Sequence, residues 1–239
     1  MLNIWVVLII AFSSLVKGLT GFGFALLSLP LLLTWYAPKE IIPVLMMCNL
    51  ISSLLIVMQK KEYKLLDKQS YYLIGTGGLF TIAGVIALHS IDGKWLIRLA
   101  GFLFIVLTIY SLVRKVPKKT SMCDRSYFSA GAFVGFLAGA VSVSGPPLAI
   151  FLNKASISNR KFREIFATFN VITAIIALFG YYQAGMVTIQ TLKTSFLFVP
   201  ILLTGTIVGK KLNTSISTEK FQTINIVLTL IASFMMMIR

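Results

Sequence analysis

The residues able to do chemistry gather in two glycine-rich stretches that interrupt otherwise apolar sequence. The first is Lys17-Gly-Leu-Thr-Gly-Phe-Gly-Phe-Ala-Leu-Leu-Ser-Leu-Pro30, with Lys17, Gly18, Thr20, Gly21, Gly23, Ser28 and Pro30 as candidate site residues. The second is Gly135-Phe-Leu-Ala-Gly-Ala-Val-Ser-Val-Ser-Gly-Pro-Pro147, with Gly139, Ser142, Ser144, Gly145, Pro146 and Pro147. Glycine permits unusual backbone angles, and proline removes a donor and halts a helix, so both stretches predict helix breaks. A broken helix exposes free N–H groups and the positive end of a dipole. Together with the hydroxyls of Thr20, Ser28, Ser142 and Ser144, loop amides of this kind suit an oxyanion.

Lys17 is the sole cation in these stretches. Two roles stand open for it: contact with an anion, or snorkelling of its head to an interface. For Gly18, Gly21 and Gly139 the competing role is close helix–helix packing, which membrane interfaces favour. Asn49, near the middle of one apolar run, and Asn170, about a third of the way into another, are two further candidates. Each either bonds across helices structurally or contributes to the site. His89 falls near the end of a run, where an interfacial role fits better than a proton relay.

Other chemistries lack their residues. Gly18-x-x-Gly21-x-Gly23 is no dinucleotide fingerprint, because no strand precedes it and its spacing is reversed. No P-loop, Ser-His-Asp set, Cys-His pair or metal-spaced cluster is present, so neither an enzyme nor a cofactor or metal is expected. The seven acids, Glu40, Glu62, Asp67, Asp92, Asp124, Glu164 and Glu219, fall at or near connectors, leaving none at mid-membrane for a proton relay. Cys48 and Cys123 lie in different settings and imply no disulfide.

The elements that must position these residues are membrane helices. Hydrophobic residues make up 57% of the 239-residue chain and charged residues only 12%, about half the share of a soluble domain. Mean hydropathy is +0.90. Uncharged runs cover 18–38, 41–59, 69–91, 126–153, 165–192 and 221–238, with shorter ones at 2–16, 99–113 and 194–209. About 20 apolar residues cross a bilayer as a helix, and the runs lack the alternation of a β-barrel. Met1 to Val16 has no basic segment ahead of it, so it reads as a retained helix rather than a signal peptide.

The formal net charge of +15 sits in the connectors, as topology signals do, so the partner is the lipid bilayer and not nucleic acid. Eight simple crossings would divide the Lys and Arg residues 11 to 10. If each glycine-rich stretch splits its segment, there are ten elements. One side then carries sixteen basic residues, from Lys60 to Lys220, and the other five: Lys39, Lys94, Arg98, Lys193 and Arg239. That asymmetry makes the basic side cytoplasmic, and Trp5, Trp35 and Trp95 fall at the outer boundary.

The chain also repeats. Asn49-Leu-Ile-Ser-Ser-Leu matches Asn170-Val-Ile-Thr-Ala-Ile, and Gly84 through Phe102 runs parallel to Gly209 through Val227. In the glycine-rich stretches Pro30 aligns with Pro147. The predicted fold is an all-α polytopic membrane protein. It has two inverted repeats of about five helical elements, the first element of each broken or re-entrant; eight full spans result if the breaks are not counted. Residues 1–115 form the N-terminal repeat, 116–125 a basic cytoplasmic connector and 126–239 the C-terminal repeat. Inverted repeats with interrupted helices are a transporter plan, and matched breaks point to the substrate site.

The split-segment motif, its repetition, the chain's size and the basic central connector resemble the sulfite exporter TauE/SafE family of membrane permeases. Lys17-Gly-Leu-Thr-Gly-Phe-Gly23 with Pro30, and Gly135 through Pro147 followed by Asn170, carry the resemblance, which covers nearly the whole chain. It implies a permease for small sulfur-containing anions (sulfite, sulfonate or thiosulfate) in a bacterial plasma membrane. Export by alternating access is the expected mode, since an inside-negative potential drives a monoanion outward by about 2.3 kcal/mol per 100 mV. An anion channel and a non-transporting membrane scaffold are the competing readings, and a homo-oligomer is compatible with either.

Overall fold

The computed structural model describes residues 4–20, 23–58, 66–113, 123–155, 159–213, 227 and 230–238. Among these the fold is entirely helical. In chain order the helices are α1 (Ile4–Thr20), α2 (Phe24–Leu32), α3 (Pro38–Met58), α4 (Lys68–Ser90), α5 (Gly93–Val113), α6 (Asp124–Val141), α7 (Gly145–Lys154), α8 (Asn159–Gln183) and α9 (Ile189–Asn213). A further helical stretch, α10, covers 230–238. Four of them, within α3, α4, α8 and α9, are long and apolar enough to cross a membrane. Large apolar side chains such as Leu79, Phe80, Ile86, Phe196 and Phe234 face outward. A water-facing surface does not carry so many, whereas a lipid-facing one must.

Both glycine-rich stretches interrupt a helix, but later than the sequence suggests. α1 continues through Gly18 to Thr20, and α6 continues through Gly139 to Val141. Gly23 then precedes α2 with φ 100°, a left-handed conformation that glycine adopts without a Cβ clash. Ser142 ends α6 with φ 58°, its N–H bonded to Ala138 O. The register of the two breaks also differs from the expected one. α2 begins at Phe24 and α7 at Gly145, so Pro30 lies well inside α2 while Pro146 and Pro147 stand in the first turn of α7. Pro30 and Pro147 are therefore not counterparts.

Lipid offers no hydrophobic drive for helices to associate, so close packing must supply it. α4 lies along α6 and α1 along α9. On the first interface a Cβ at Gly135 would overlap the Gly77 carbonyl, and one at Gly139 the Thr81 carbonyl. On the second, a Cβ at Gly209 would overlap the Leu15 carbonyl, and one at Gly18 the Thr206 carbonyl. Contacts climb both members of each pair together, so α4 runs parallel to α6, and α1 to α9. Thr76 and Thr81 hydroxyls reach across α4–α6 to the carbonyls of Phe128 and Gly135, each at 3.2 Å. The Tyr181 hydroxyl of α8 donates to Gly139 O at 2.6 Å. Helices α3 and α8 pack on each other at the centre.

The two ends of α4 mark two polar layers. At its start, Asp67 caps the helix through Ser70 N and takes an ion pair from Lys161 beside the start of α8. Asp124, at the start of α6, meets Lys68 and Gln69. At its end, Lys39 donates to the carbonyl of exposed His89 at 2.7 Å. Trp5, Trp35 and Trp95 are all exposed. One acid departs from the expected placement. Glu164 is only 5% exposed and lies within α8, six residues before Asn170, about 9 Å along the axis. The basic residues from Lys60 to Lys64 and from Arg114 to Lys119 lie outside the described residues, as does Lys220.

Candidate functional site

The two breaks meet at one small polar cavity. Its walls are Lys17, the start of α2 from Gly23 to Leu26, Asn49, Ser142 to Gly145, Phe166 and Asn170. Asn49 is the twelfth residue of α3 and Asn170 the twelfth of α8, so both central helices present an amide near mid-length. The cavity measures about 20 Å³, enough for one water, which needs at least about 10–15 Å³.

Lys17 is 4% exposed, and its ammonium is turned inward to neutral partners. Lys17 Nζ donates to Asn49 Oδ1 at 2.8 Å and to Ser52 Oγ at 2.5 Å, and stands 5.8 Å from the Phe24 ring centre. Ser52 can accept because its own hydrogen goes to Cys48 O at 2.8 Å. Asn49 then spans the two breaks: its Nδ2 donates to Ser142 O at 3.3 Å, at the end of α6. A buried charge costs several kcal/mol unless it is paired. No acidic residue lines the cavity among the described residues, so an anion entering it would meet an uncancelled positive charge.

Helix ends add to that charge. The first intrahelical bond of α2 is Leu27 N to Gly23 O, so the N–H groups of Phe24, Ala25 and Leu26 have no intrahelical acceptor. In α7 the first is Leu148 N to Ser144 O. Pro146 and Pro147 carry no N–H, which leaves Gly145 alone. Both ends direct positive dipole into the cavity, and the first turn of α2 offers three amide donors where that of α7 offers one, beside the loop N–H groups of Val143 and Ser144.

The scaffold is paired and the charge is not. Phe24 and Gly145, Asn49 and Asn170, and Ser52 and Thr173 are each 121 residues apart. Thr173 bonds back to Phe169 O as Ser52 does to Cys48 O. The same spacing sets Ala138 against Lys17, so the second half has no cation at this place.

Of the sequence candidates, the structure brings together Lys17, Gly23, Asn49, Ser142, Ser144, Gly145 and Asn170. Gly18 and Gly139 instead pack against α9 and α4. Ser28 is buried and bonds back to Phe24 O at 2.6 Å. Pro30, Pro146 and Pro147 do not line the cavity; the last two act by thinning the donors at its edge. Gly21 and the side chain of Thr20 lie outside the described residues. Sequence reasoning missed Phe24, Ser52 and Phe166. Ser52 sits three residues after Asn49, one helical turn on, and that spacing was the available signal.

Fold and cavity define an integral, all-helical membrane protein with a polar site at paired helix breaks, which is a transporter plan. The chain belongs to the family described as sulfite exporter TauE/SafE, whose model matches residues 6–236. No curated protein matches the chain, and no solved structure does. Membership makes it a member of a membrane transporter family.

Proposed function

We propose that the protein is a permease that moves small sulfur-containing anions, of the sulfite, sulfonate or thiosulfate class, out of a bacterial cell across the plasma membrane. The observation that carries this reading is buried Lys17, held by neutral partners at a cavity where two helix N-termini converge. Positive charge that is buried and uncancelled is the complement of an anion. The family's description supplies the sulfur.

Alternating access between two inverted halves is the proposed mechanism. The halves would rock about α3 and α8, which pack on each other and carry the paired asparagines. Matched partners support the inversion: α1 lies on α9 as α6 lies on α4. A cavity of about 20 Å³ fits an occluded form, and an oxyanion of four heavy atoms would require Phe24 or Phe166 to give way. The proposed topology has the starts of α4, α6 and α8 in the cytoplasm.

The test is anion flux in proteoliposomes. Lys17→Gln keeps a hydrogen-bonding side chain of similar length but removes the charge. Transport of sulfite should fall at least tenfold, in keeping with the loss of a charged hydrogen bond. A Lys17→Gln protein that folds and transports at the normal rate would sink this site assignment.

A further inference from the structure

The cavity has a cationic donor wall and a facing wall whose hydroxyls can only accept. The first half supplies donors: the Lys17 ammonium and the three amides that open α2 without a helical acceptor. The second half brings no cation to the cavity. Its prolines leave one amide in the first turn of α7, beside the loop N–H groups of Val143 and Ser144, and its hydroxyl hydrogens are already committed. Ser144 Oγ donates to Asn170 Oδ1 at 2.6 Å. Asn170 cannot turn its amide round to reverse that bond, because its Nδ2 donates to Phe166 O at 3.0 Å. Ser142 Oγ is likewise turned, toward Met46 Sδ at 3.8 Å, and receives Asn49 Nδ2 at 3.4 Å. What Ser144 has left for a ligand is a lone pair.

From this arrangement we infer that the site selects an oxyanion that still carries one acidic hydrogen, a species with one X–OH group and one negative charge. The inference rests on the anion-site reading above and narrows its ligand class to hydrogen sulfite, since sulfonate and thiosulfate carry no acidic hydrogen at neutral pH. The charged oxygens sit against Lys17 and the α2 amides. The X–OH group donates to Ser144 Oγ on the opposite wall. A fully deprotonated oxyanion has acceptors only, so it sets oxygen against oxygen at Ser144 and leaves that lone pair unsatisfied. A site built to bond a ligand hydroxyl rejects an analogue without one more strongly than any apolar pocket could. Hydrogen sulfite and hydrogen carbonate share this chemistry.

Equilibrium binding to the purified full-length protein, at fixed ionic strength and without oxygen, tests it. Two probes are compared: sulfite, and chlorate. Chlorate is a pyramidal XO₃ monoanion like hydrogen sulfite but has no acidic hydrogen. As pH rises through the second ionisation of sulfurous acid, affinity for total sulfite should fall about tenfold per pH unit, following the fraction still protonated. Chlorate reports any titration of the protein itself, so the readout is the ratio of the two affinities. In Ser144→Ala that ratio should drop about tenfold, and Ser144→Thr, which restores a hydroxyl, should recover it. A sulfite-to-chlorate ratio that stays level or rises with pH overturns the inference. So does a ratio that Ser144→Ala leaves unchanged. If neither anion binds at any pH, the anion-site reading itself falls, and this inference with it.

Discussion

A buried lysine without a carboxylate partner is a costly residue in a membrane. Lys17 is held by Asn49, Ser52 and the Phe24 ring, none of which neutralises it. Such a residue contributes little to stability, and under the proposed function an anionic ligand would complete it. Asp67 is the opposite case, a charge that stabilises. Burial raises its pKa, but hydrogen bonds from Lys161 and from the Ser70 hydroxyl and amide outweigh that and hold the carboxyl down at about 2. A depressed carboxylate pKa stabilises the fold above the unfolded value near 4 and loses that contribution as pH falls through the folded value. The carboxylate is largely exposed, so the effect is within about 1 kcal/mol. Thermal melts of Asp67→Asn should therefore lie below the parent by a constant margin above about pH 5. The margin should close between about pH 4 and pH 2; one that persists there would remove Asp67 as its source.

At the scale of elements, the helix pairs α4–α6 and α1–α9 depend on glycine for contact rather than for bending. Gly135 shows this most directly, because any side chain there meets the backbone of Gly77. Gly75 provides the contrast on the same interface's outer face: a Cβ there meets nothing within 4 Å. Gly135→Ala should destabilise by about 1–3 kcal/mol through overpacking. Gly75→Ala should be neutral or stabilise by up to about 1 kcal/mol, through helix propensity alone. Unfolding in mixed micelles measures both. Equal effects at the two positions would mean that the close approach of α4 and α6 is not what these glycines provide. Gly18 and Gly139 belong to this packing class, although the sequence allowed either role for them. Spacing within one helix cannot tell a glycine facing a neighbouring helix from one facing a cavity.

For the whole molecule, the proposed sidedness has a native reporter. Cys123 is exposed beside the start of α6, and Cys48 is buried in the core. Lys39 is exposed near the opposite end of the bundle, bonded to His89 O at the end of α4. With the basic side cytoplasmic, a membrane-impermeant maleimide should label Cys123 in inside-out vesicles and not in intact cells. A cysteine at Lys39, in a Cys123→Ser background, should show the reverse. Cys48 should stay unlabelled until the protein is denatured. Labelling of Cys123 and the Lys39 cysteine from the same face would refute the proposed topology.

Much of this architecture was legible from composition and punctuation. Apolar runs of spanning length dictate helices, since lipid leaves backbone groups no other partners. Gly and Pro at 18–23 and 139–147 dictated two breaks, because they either free the backbone or stop a helix. The sequence also determined that Lys17 is the lone cation of those breaks. It could not determine where Lys17 points, which glycines line the cavity, that Pro30 and Pro147 differ in register, or that Asn49 bridges Lys17 to Ser142. The physical reason is common to all four. In lipid every face of a helix is apolar, so periodicity does not say which face meets protein. Only the tertiary structure brings α1, α3 and α6 together, and with them the charge and the amide that line the cavity.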